Sequence, residues 1–419
     1  MASTVSPVRS AARSRVWTFI VLTCVALMAR AGYGLATGSI PGDASSLRFD
    51  DERWYWMIGE SLHDGEGLVG EFGHRAERMP LYPAFLALFT GQENGVALAR
   101  IAQWVLGALA AGCTYLLARQ NCREVFAILG GLAVALDPAL VGCASLLLTE
   151  TLFVTALVGL WCVAWPLRRR ECASWGRWIA VAALSAICIY IKESSLAFVV
   201  LLMMYFIAVR RDWRSMAGGA IVASVIVAAL VPWAYRNQQV IGEWCWLTTR
   251  GGISLYDGVR PGASGASDLG DVKDQPEVRA LDEAAWNEYF AQRAWQAIED
   301  EPVRILGLVP IKLARTWSPI LNAQEYQSPI IRAVFALWYI PLYVAALLGV
   351  IARRRDPSVW IGLLLPVIAI CLVHGLYVGS VRYRLGALPM LMTLGVIGVA
   401  WLVDRKRGVA APVEPADEL

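Results

Sequence analysis

Apolar residues in this chain of 419 come in long blocks, not in the short rhythms of a soluble sheet or surface helix. Runs near 16–36, 97–118, 123–141, 148–167, 216–235, 329–351, 358–379 and 385–404 are each on the order of the ~20 residues a helix needs to cross a bilayer. A further block, 177–210, is broken by Tyr190-Ile191-Lys192-Glu193-Ser194-Ser195. It reads as two spans of about 15 residues each, too short to reach both surfaces, so their junction at Lys192 should lie in a funnel. The pattern predicts an all-α polytopic membrane protein of about ten transmembrane helices. The stretch 80–91 is too short to span, and Pro80 and Pro83 suit a re-entrant half-helix, which needs a cavity to line.

Basic clusters give the chain a direction. Arg9/Arg13/Arg15, Arg119/Arg123, Arg168/Arg169/Arg170, Arg210/Arg211/Arg214, Arg353/Arg354/Arg355 and Arg405/Lys406/Arg407 all fall on one side of this threading. The positive-inside rule makes that side cytoplasmic, with both termini inside. The opposite side then receives an outer loop at 37–96, Glu150, Lys192, a long outer loop at 236–328, and Arg382/Arg384. Residues 1–404 read as one transmembrane domain, followed by a disordered cytoplasmic tail at 405–419. In the long loop, Arg250-Gly251-Gly252, Gly258, Gly262, Gly265 and Gly270 predict irregular backbone. Residues 277–299 read as a polar helix and 302–317 as a helix lying in the interface. The N-terminal apolar run is long for a signal peptide and contains Arg30, so an uncleaved first span is expected.

Composition agrees: 57% of residues are hydrophobic and 17% charged. The net charge of +3 carries no nucleic-acid signature. Nine cysteines lie mostly in apolar segments without ligand spacing, so no disulfide framework is expected. The 18 tryptophans suit interfacial belts.

In so apolar a chain, charges gathered at one face mark candidate chemistry. Asp51 and Glu52 adjoin in Phe49-Asp50-Asp51-Glu52-Arg53-Trp54-Tyr55-Trp56. One carboxylate of such a pair can serve as base while the other organises the site; the plainer reading is a helix N-cap. Arg78, before the Pro-flanked half-helix, suits a lipid phosphate or is a snorkelling interfacial cation. Lys192 sits where a surface lysine gains little, although a hairpin pair with Glu193 is its simpler role. Arg382, Arg384 and Arg236 serve as phosphate or pocket residues, or as interface anchors. Glu150 holds a sugar or acceptor, or interacts with its helix dipole. Glu77, Tyr55 and Tyr82 are further candidates for the sugar and acceptor pocket; Trp54, Tyr55 and Trp56 are expected either to stack on a sugar or to pack at the lipid interface. His63, His74 and His374 fall outward, and their spacing near Glu77 is not diagnostic of metal. A base beside several cations fits transfer of a sugar from a polyprenyl phosphate to a hydroxyl, because the phosphate leaves as an anion.

These residues resemble those of the integral-membrane GT-C glycosyltransferases, in particular the bacterial branch related to protein O-mannosyltransferases and lipid A aminoarabinose transferases. Asp51-Glu52 with its aromatics resembles the acidic pair of the first outer loop. Glu77-Arg78-Met79-Pro80-Leu81-Tyr82-Pro83 resembles the basic, proline-rich helix start. Glu150, Lys192, Pro232-Trp233-Ala234-Tyr235-Arg236-Asn237 and Arg382-Tyr383-Arg384 follow in the family's order. The resemblance runs from about residue 16 to 404. It implies a GT-C-like fold, a polyprenyl-phosphate-linked sugar donor, a hydroxyl acceptor, an outer-face site in the plasma membrane and Asp51 as base; direct attack would invert the anomeric carbon. Two departures stand out. Leu385-Gly386 follows Arg384 where a proline is common, and no large soluble C-terminal domain follows. The metal found at some family sites is not carried over, because its ligand set is not clearly present. Two other readings compete: a transporter or flippase of a lipid-linked or anionic substrate, and a non-catalytic envelope scaffold. Neither the sugar nor the acceptor is written in the hydropathy.

Overall fold

The structure, a computed structural model, describes residues 7–40, 42–269, 272, 275–322, 326 and 328–407. The tail beyond Arg407, Gly270 and the side chain of Arg9 lie outside the described residues. The described residues are helical, without a strand. In chain order the helices are α1 (Pro7–Ala36), α2 (Asp50–His63), α3 (Leu81–Ala87), α4 (Gly95–Arg119), α5 (Glu124–Leu136), α6 (Pro138–Cys143), α7 (Glu150–Ala164), α8 (Trp175–Ile191) and α9 (Ser195–Arg210). There follow α10 (Trp213–Ile241), α11 (Gly251–Val259), α12 (Pro276–Arg279), α13 (Glu283–Asp300), α14 (Pro302–Thr316), α15 (Pro329–Ala352), α16 (Pro357–Leu376) and α17 (Leu388–Lys406).

Seven of these, α1, α4, α7, α10, α15, α16 and α17, are long and apolar enough to cross a membrane, extended at α7 and α17 by adjoining turns. The chain is therefore a multi-pass membrane protein. Helices α5, α8 and α9 are apolar but shorter. One apolar core, with Tyr115, Leu157, Trp161, Ala182, Leu363 and Leu388 among its members, joins most of the bundle. Small residues set its closest approaches, as is usual between membrane helices. A Cβ on Gly349 of α15 would stand 2.0 Å from the Leu394 carbonyl oxygen of α17, and one on Gly398 would stand 2.4 Å from that of Ala345.

The basic clusters meet at one end of the bundle. Arg353 donates to the Asn121 carbonyl (2.7 Å), Arg210 to Leu167 (2.9 Å) and Arg170 to Arg210 (3.0 Å), while Arg123 pairs with Asp404. The opposite end is more elaborate. Helices α2 and α3 pack together there, α3 being the short helix expected after Pro80.

The segment after α10 differs from expectation. Its Gly-rich first half is not irregular throughout, because α11 forms from Gly251 to Val259. Gly252 lets α11 press on α13, where a Cβ would lie 2.2 Å from the Asn287 carbonyl oxygen. The expected polar helix divides into α12 and α13 at Asp282, whose carboxylate caps α13. Helices α11, α13 and α14 enclose two small apolar clusters of their own and form a cap. As expected, α14 is amphipathic: Val303, Leu306 and Ile311 are exposed, while Ile305 and Leu308 are buried. The cap touches the bundle through Lys312, which donates to the Gly375 and Leu376 carbonyls (3.3 and 2.5 Å).

Candidate functional site

Under this cap, between α2, α7, α9, α16 and the segment before α17, lies a cavity of about 1470 Å³. Its centre is charged. Asp51 Oδ1 accepts from Arg78 (2.9 Å) and Asp51 Oδ2 from Arg382 (2.9 Å). The same Arg382 meets Glu150 Oε1 through Nε (3.0 Å), and Lys192 Nζ donates to that oxygen at 3.0 Å. Five residues separated by up to 331 positions thus form one alternating chain: Arg78, Asp51, Arg382, Glu150, Lys192. All five line the cavity.

Local structure explains each placement. Asp51 and Glu52 share the first turn of α2 but do different work. Glu52 is fully buried and turned away from the cavity. Its carboxylate accepts from the backbone N–H groups of Arg48 (3.0 Å), Phe49 (3.2 Å) and Leu147 (2.8 Å), with Arg100 at 4.0 Å. It closes the N-terminus of α2 by a capping interaction and ties that turn to the segment before α7. Asp51 has no backbone donor among these bonds, so its two oxygens serve the arginines. Glu150 opens α7, where the helix dipole favours an acid. Lys192 caps α8 at the junction with α9.

Electrostatics in this cluster are strong. Burial opposes ionisation of Asp51, but Arg382, Arg78 and Arg250 outweigh it and hold the carboxyl well below its usual range. Burial likewise opposes charge on Arg78 and Arg382, and the surrounding acids and tyrosines override it, raising both. Aromatic faces complete the setting. Arg78 lies 4.9 Å from the Tyr55 ring centre and 5.8 Å from Trp54. Lys192 lies 5.3 Å from Tyr383, which stacks on His374 at 3.9 Å.

Other expected site residues lie behind the cavity wall. Glu77 is buried and pairs with Arg250, with His74 Nδ1 at 3.9 Å. Tyr82 is buried, donates to Gln103 (2.6 Å) and meets Tyr55 edge-on at 5.0 Å, supporting a ring that does line the cavity. Arg236 holds the Arg75 carbonyl and the Asn237 side chain. Arg384 is fully buried, 3.9 Å from the Tyr339 ring centre, and donates to Ser318 and Tyr343. Of the expected set, the cavity therefore gathers Asp51, Arg78, Lys192, Arg382, Glu150 and Tyr55; Glu52, Glu77, Tyr82, Arg236 and Arg384 stand outside it. Among the described residues no three His, Cys, Asp or Glu side chains gather as metal ligands would.

Residues not anticipated also face the cavity, chiefly Arg250, Asp257, Glu193 and Tyr383. Arg250 stands at the start of α11, 5.4 Å from Trp54. In the sequence its one signal is a cation immediately before a Gly-Gly pair. Much of the remaining wall is apolar: Leu136, Ala139, Ile330, Val334, Leu196, Val200 and Leu372 contribute.

Residues 77–235 match the model of the dolichyl-phosphate-mannose-protein mannosyltransferase family. No curated protein shows significant similarity to the chain. Solved structures are similar in fold. An archaeal oligosaccharyltransferase, AglB from Archaeoglobus fulgidus in complex with an inhibitory peptide and a dolichol-phosphate, superposes with a TM-score of 0.57 at 11% identity. The match covers 96% of this chain and 52% of that one, so the chain spans about half the length of the enzyme it resembles. The A. fulgidus oligosaccharyltransferase tethered to an acceptor peptide gives 0.56 at 12% identity, covering 94% and 50%. ArnT from Cupriavidus metallidurans bound to undecaprenyl phosphate gives 0.44 at 17% identity, covering 93% and 78%. The chain thus has the fold of the integral-membrane GT-C glycosyltransferases, and its residues 77–235 carry the sequence pattern of the dolichyl-phosphate-mannose-protein mannosyltransferase family.

Proposed function

We propose that the protein transfers a sugar from a polyprenyl-phosphate donor to a hydroxyl acceptor in the cell envelope, at the outer face of the plasma membrane. The observation that carries this is the chain Arg78–Asp51–Arg382–Glu150–Lys192 in a cavity whose remaining wall is largely apolar. A polyprenyl phosphate needs both: cations for its headgroup and apolar surface for its tail. The fold likeness to an enzyme whose structure is in complex with a dolichol-phosphate supports the same donor class.

In this reading Arg78, Arg382 and Lys192 hold the donor phosphate, and Glu150 fixes Arg382 and Lys192 relative to each other. Trp54, Tyr55 and Arg250 border the sugar. Asp51 receives the proton of the acceptor hydroxyl as its oxygen bonds to the anomeric carbon. The carbon–oxygen bond to phosphate breaks, its electron pair leaves with the phosphate oxygen, and the arginines stabilise the charge that develops there. A single displacement of this kind inverts the anomeric centre. All ten apolar helices cross the membrane, with both termini cytoplasmic.

The test is transfer by purified protein from a panel of polyprenyl-phosphate sugars. Asp51→Asn should lower kcat by at least 10²-fold, the scale of a lost general base. Lys192→Ala should weaken donor use. Wild-type turnover in Asp51→Asn would overturn the assignment of the base.

A further inference from the structure

In the free protein, the carboxylate proposed as base and the arginines proposed to bind phosphate neutralise one another. We infer that Asp51 occupies the phosphate site as an internal anion, and that the donor phosphate must displace it before Asp51 can act on the acceptor. This rests on the transferase reading and specifies how its site is regulated.

Two observations separate this cluster from a structural ion pair. First, several arginines that build the fold are tied to fixed backbone oxygens. Arg100 donates to the carbonyls of Ser39 (2.8 Å) and Ser46 (3.3 Å), Arg210 to Leu167 (2.9 Å), and Arg30 to Ala26 (3.0 Å). Arg78 and Arg382 instead direct their side-chain hydrogen bonds and ion pairs to carboxylates at the cavity. These guanidinium groups can change partner without breaking backbone anchorage. Second, Glu52, the neighbouring acid in the same turn, is held by three backbone N–H groups. Glu283 is held by the N–H groups of Arg75 (2.5 Å) and Ala76 (2.8 Å). Asp51 is held by its two arginines alone among the bonds found, and part of its side chain stays accessible.

The exchange balances in charge and in atoms. The donor is a phosphodiester with one negative charge, equal to that of Asp51. It takes over N–H bonds from Arg78 and Arg382 while Glu150 keeps Arg382 and Lys192 in place. Asp51 is then an unpaired carboxylate beside the anomeric carbon and accepts the hydroxyl proton as the sugar transfers. The product is a polyprenyl monophosphate that can carry two negative charges, facing two arginines and a neutral Asp51. Loss of the proton from Asp51 restores the internal anion, which competes for the arginines and helps expel the product. A base that is engaged until the donor arrives also gives an ordered reaction.

The consequence runs against a simple binding role. Full-length protein in nanodiscs is titrated with a polyprenyl monophosphate, with the matching polyprenol as control. Asp51→Asn should bind the monophosphate about tenfold more tightly than wild type, because the competing anion is gone. Asp51→Ser should do the same, which keeps the test valid if one variant does not fold. Asp51→Glu, which retains the charge, should stay near wild-type affinity. Arg78→Ala should bind more weakly. Unchanged or weaker binding in both Asp51→Asn and Asp51→Ser, with wild type binding normally, overturns the inference and leaves the transferase reading standing. Absence of monophosphate binding in wild type overturns both.

Discussion

Asp51 and Glu52 are neighbours of the same chemistry, and the fold separates them by what each oxygen touches. Glu52 meets three backbone N–H groups in a dry site, so Glu52→Ala strands all three at a cost of roughly 1–3 kcal/mol for each donor left unpaired. A marked loss of thermal stability in detergent is expected, with much less loss in Asp51→Asn; similar melting of the two variants would contradict this division. Asp51 makes a pH prediction. Its carboxyl is held below its usual range by Arg382, Arg78 and Arg250 against the effect of burial. A depressed folded pKa contributes stability above the unfolded value of about 4 and loses it as pH falls through the folded value. The melting difference between wild type and Asp51→Asn should therefore be flat from pH 8 to about 5 and shrink only below about 4. A difference that collapses near pH 6 would show that the arginines do not hold it. Sequence made Asp51, Arg78, Lys192, Arg382 and Glu150 visible because charge in an apolar chain is costly. The residue pattern alone left Glu52 and Asp51 interchangeable, since which carboxylate meets Leu147 depends on a contact across 95 positions, and the family resemblance chose Asp51 as base.

At the scale of elements, hydropathy located the crossing helices well because one constraint, backbone satisfaction in lipid, governs them. The cap was less legible. Its helices α11 and α13 meet through Gly252, and a Gly-rich stretch reads as turns unless the partner helix is known. Glycine has the same meaning between α15 and α17, where backbone rather than side chain fills the space. Gly349→Ala places a Cβ on the Leu394 carbonyl, and neither helix can yield at a rotamer's cost. It should destabilise by about 1–3 kcal/mol, the usual range for overpacking. Gly159→Ala in α7, where a new Cβ meets nothing within 4 Å, is the control. It should be neutral or slightly stabilising by helix propensity. Thermal melting of the two variants side by side checks this, and equal behaviour would mean that α15 and α17 are not in close contact in the membrane.

For the whole molecule, the decisive quantity is the side of the membrane on which the cavity opens. The bundle has two unlike ends: one holds the basic loops, cross-linked by arginine-to-carbonyl bonds, and the other holds the capped, charged cavity. In the proposed topology the positive-inside bias places the basic end in the cytoplasm and the cavity outside. Two exposed positions report on this directly. In a background with the nine native cysteines replaced, Ala280→Cys lies between α12 and α13 of the cap, and Arg354→Cys lies in the loop after α15. A membrane-impermeant maleimide on intact cells should label Ala280→Cys readily and Arg354→Cys only after permeabilisation. The reversed pattern would turn the cavity toward the cytoplasm, and the donor would then be drawn from the inner leaflet. Labelling of both positions in intact cells would break the alternating threading at α15, the candidate span that lies between them.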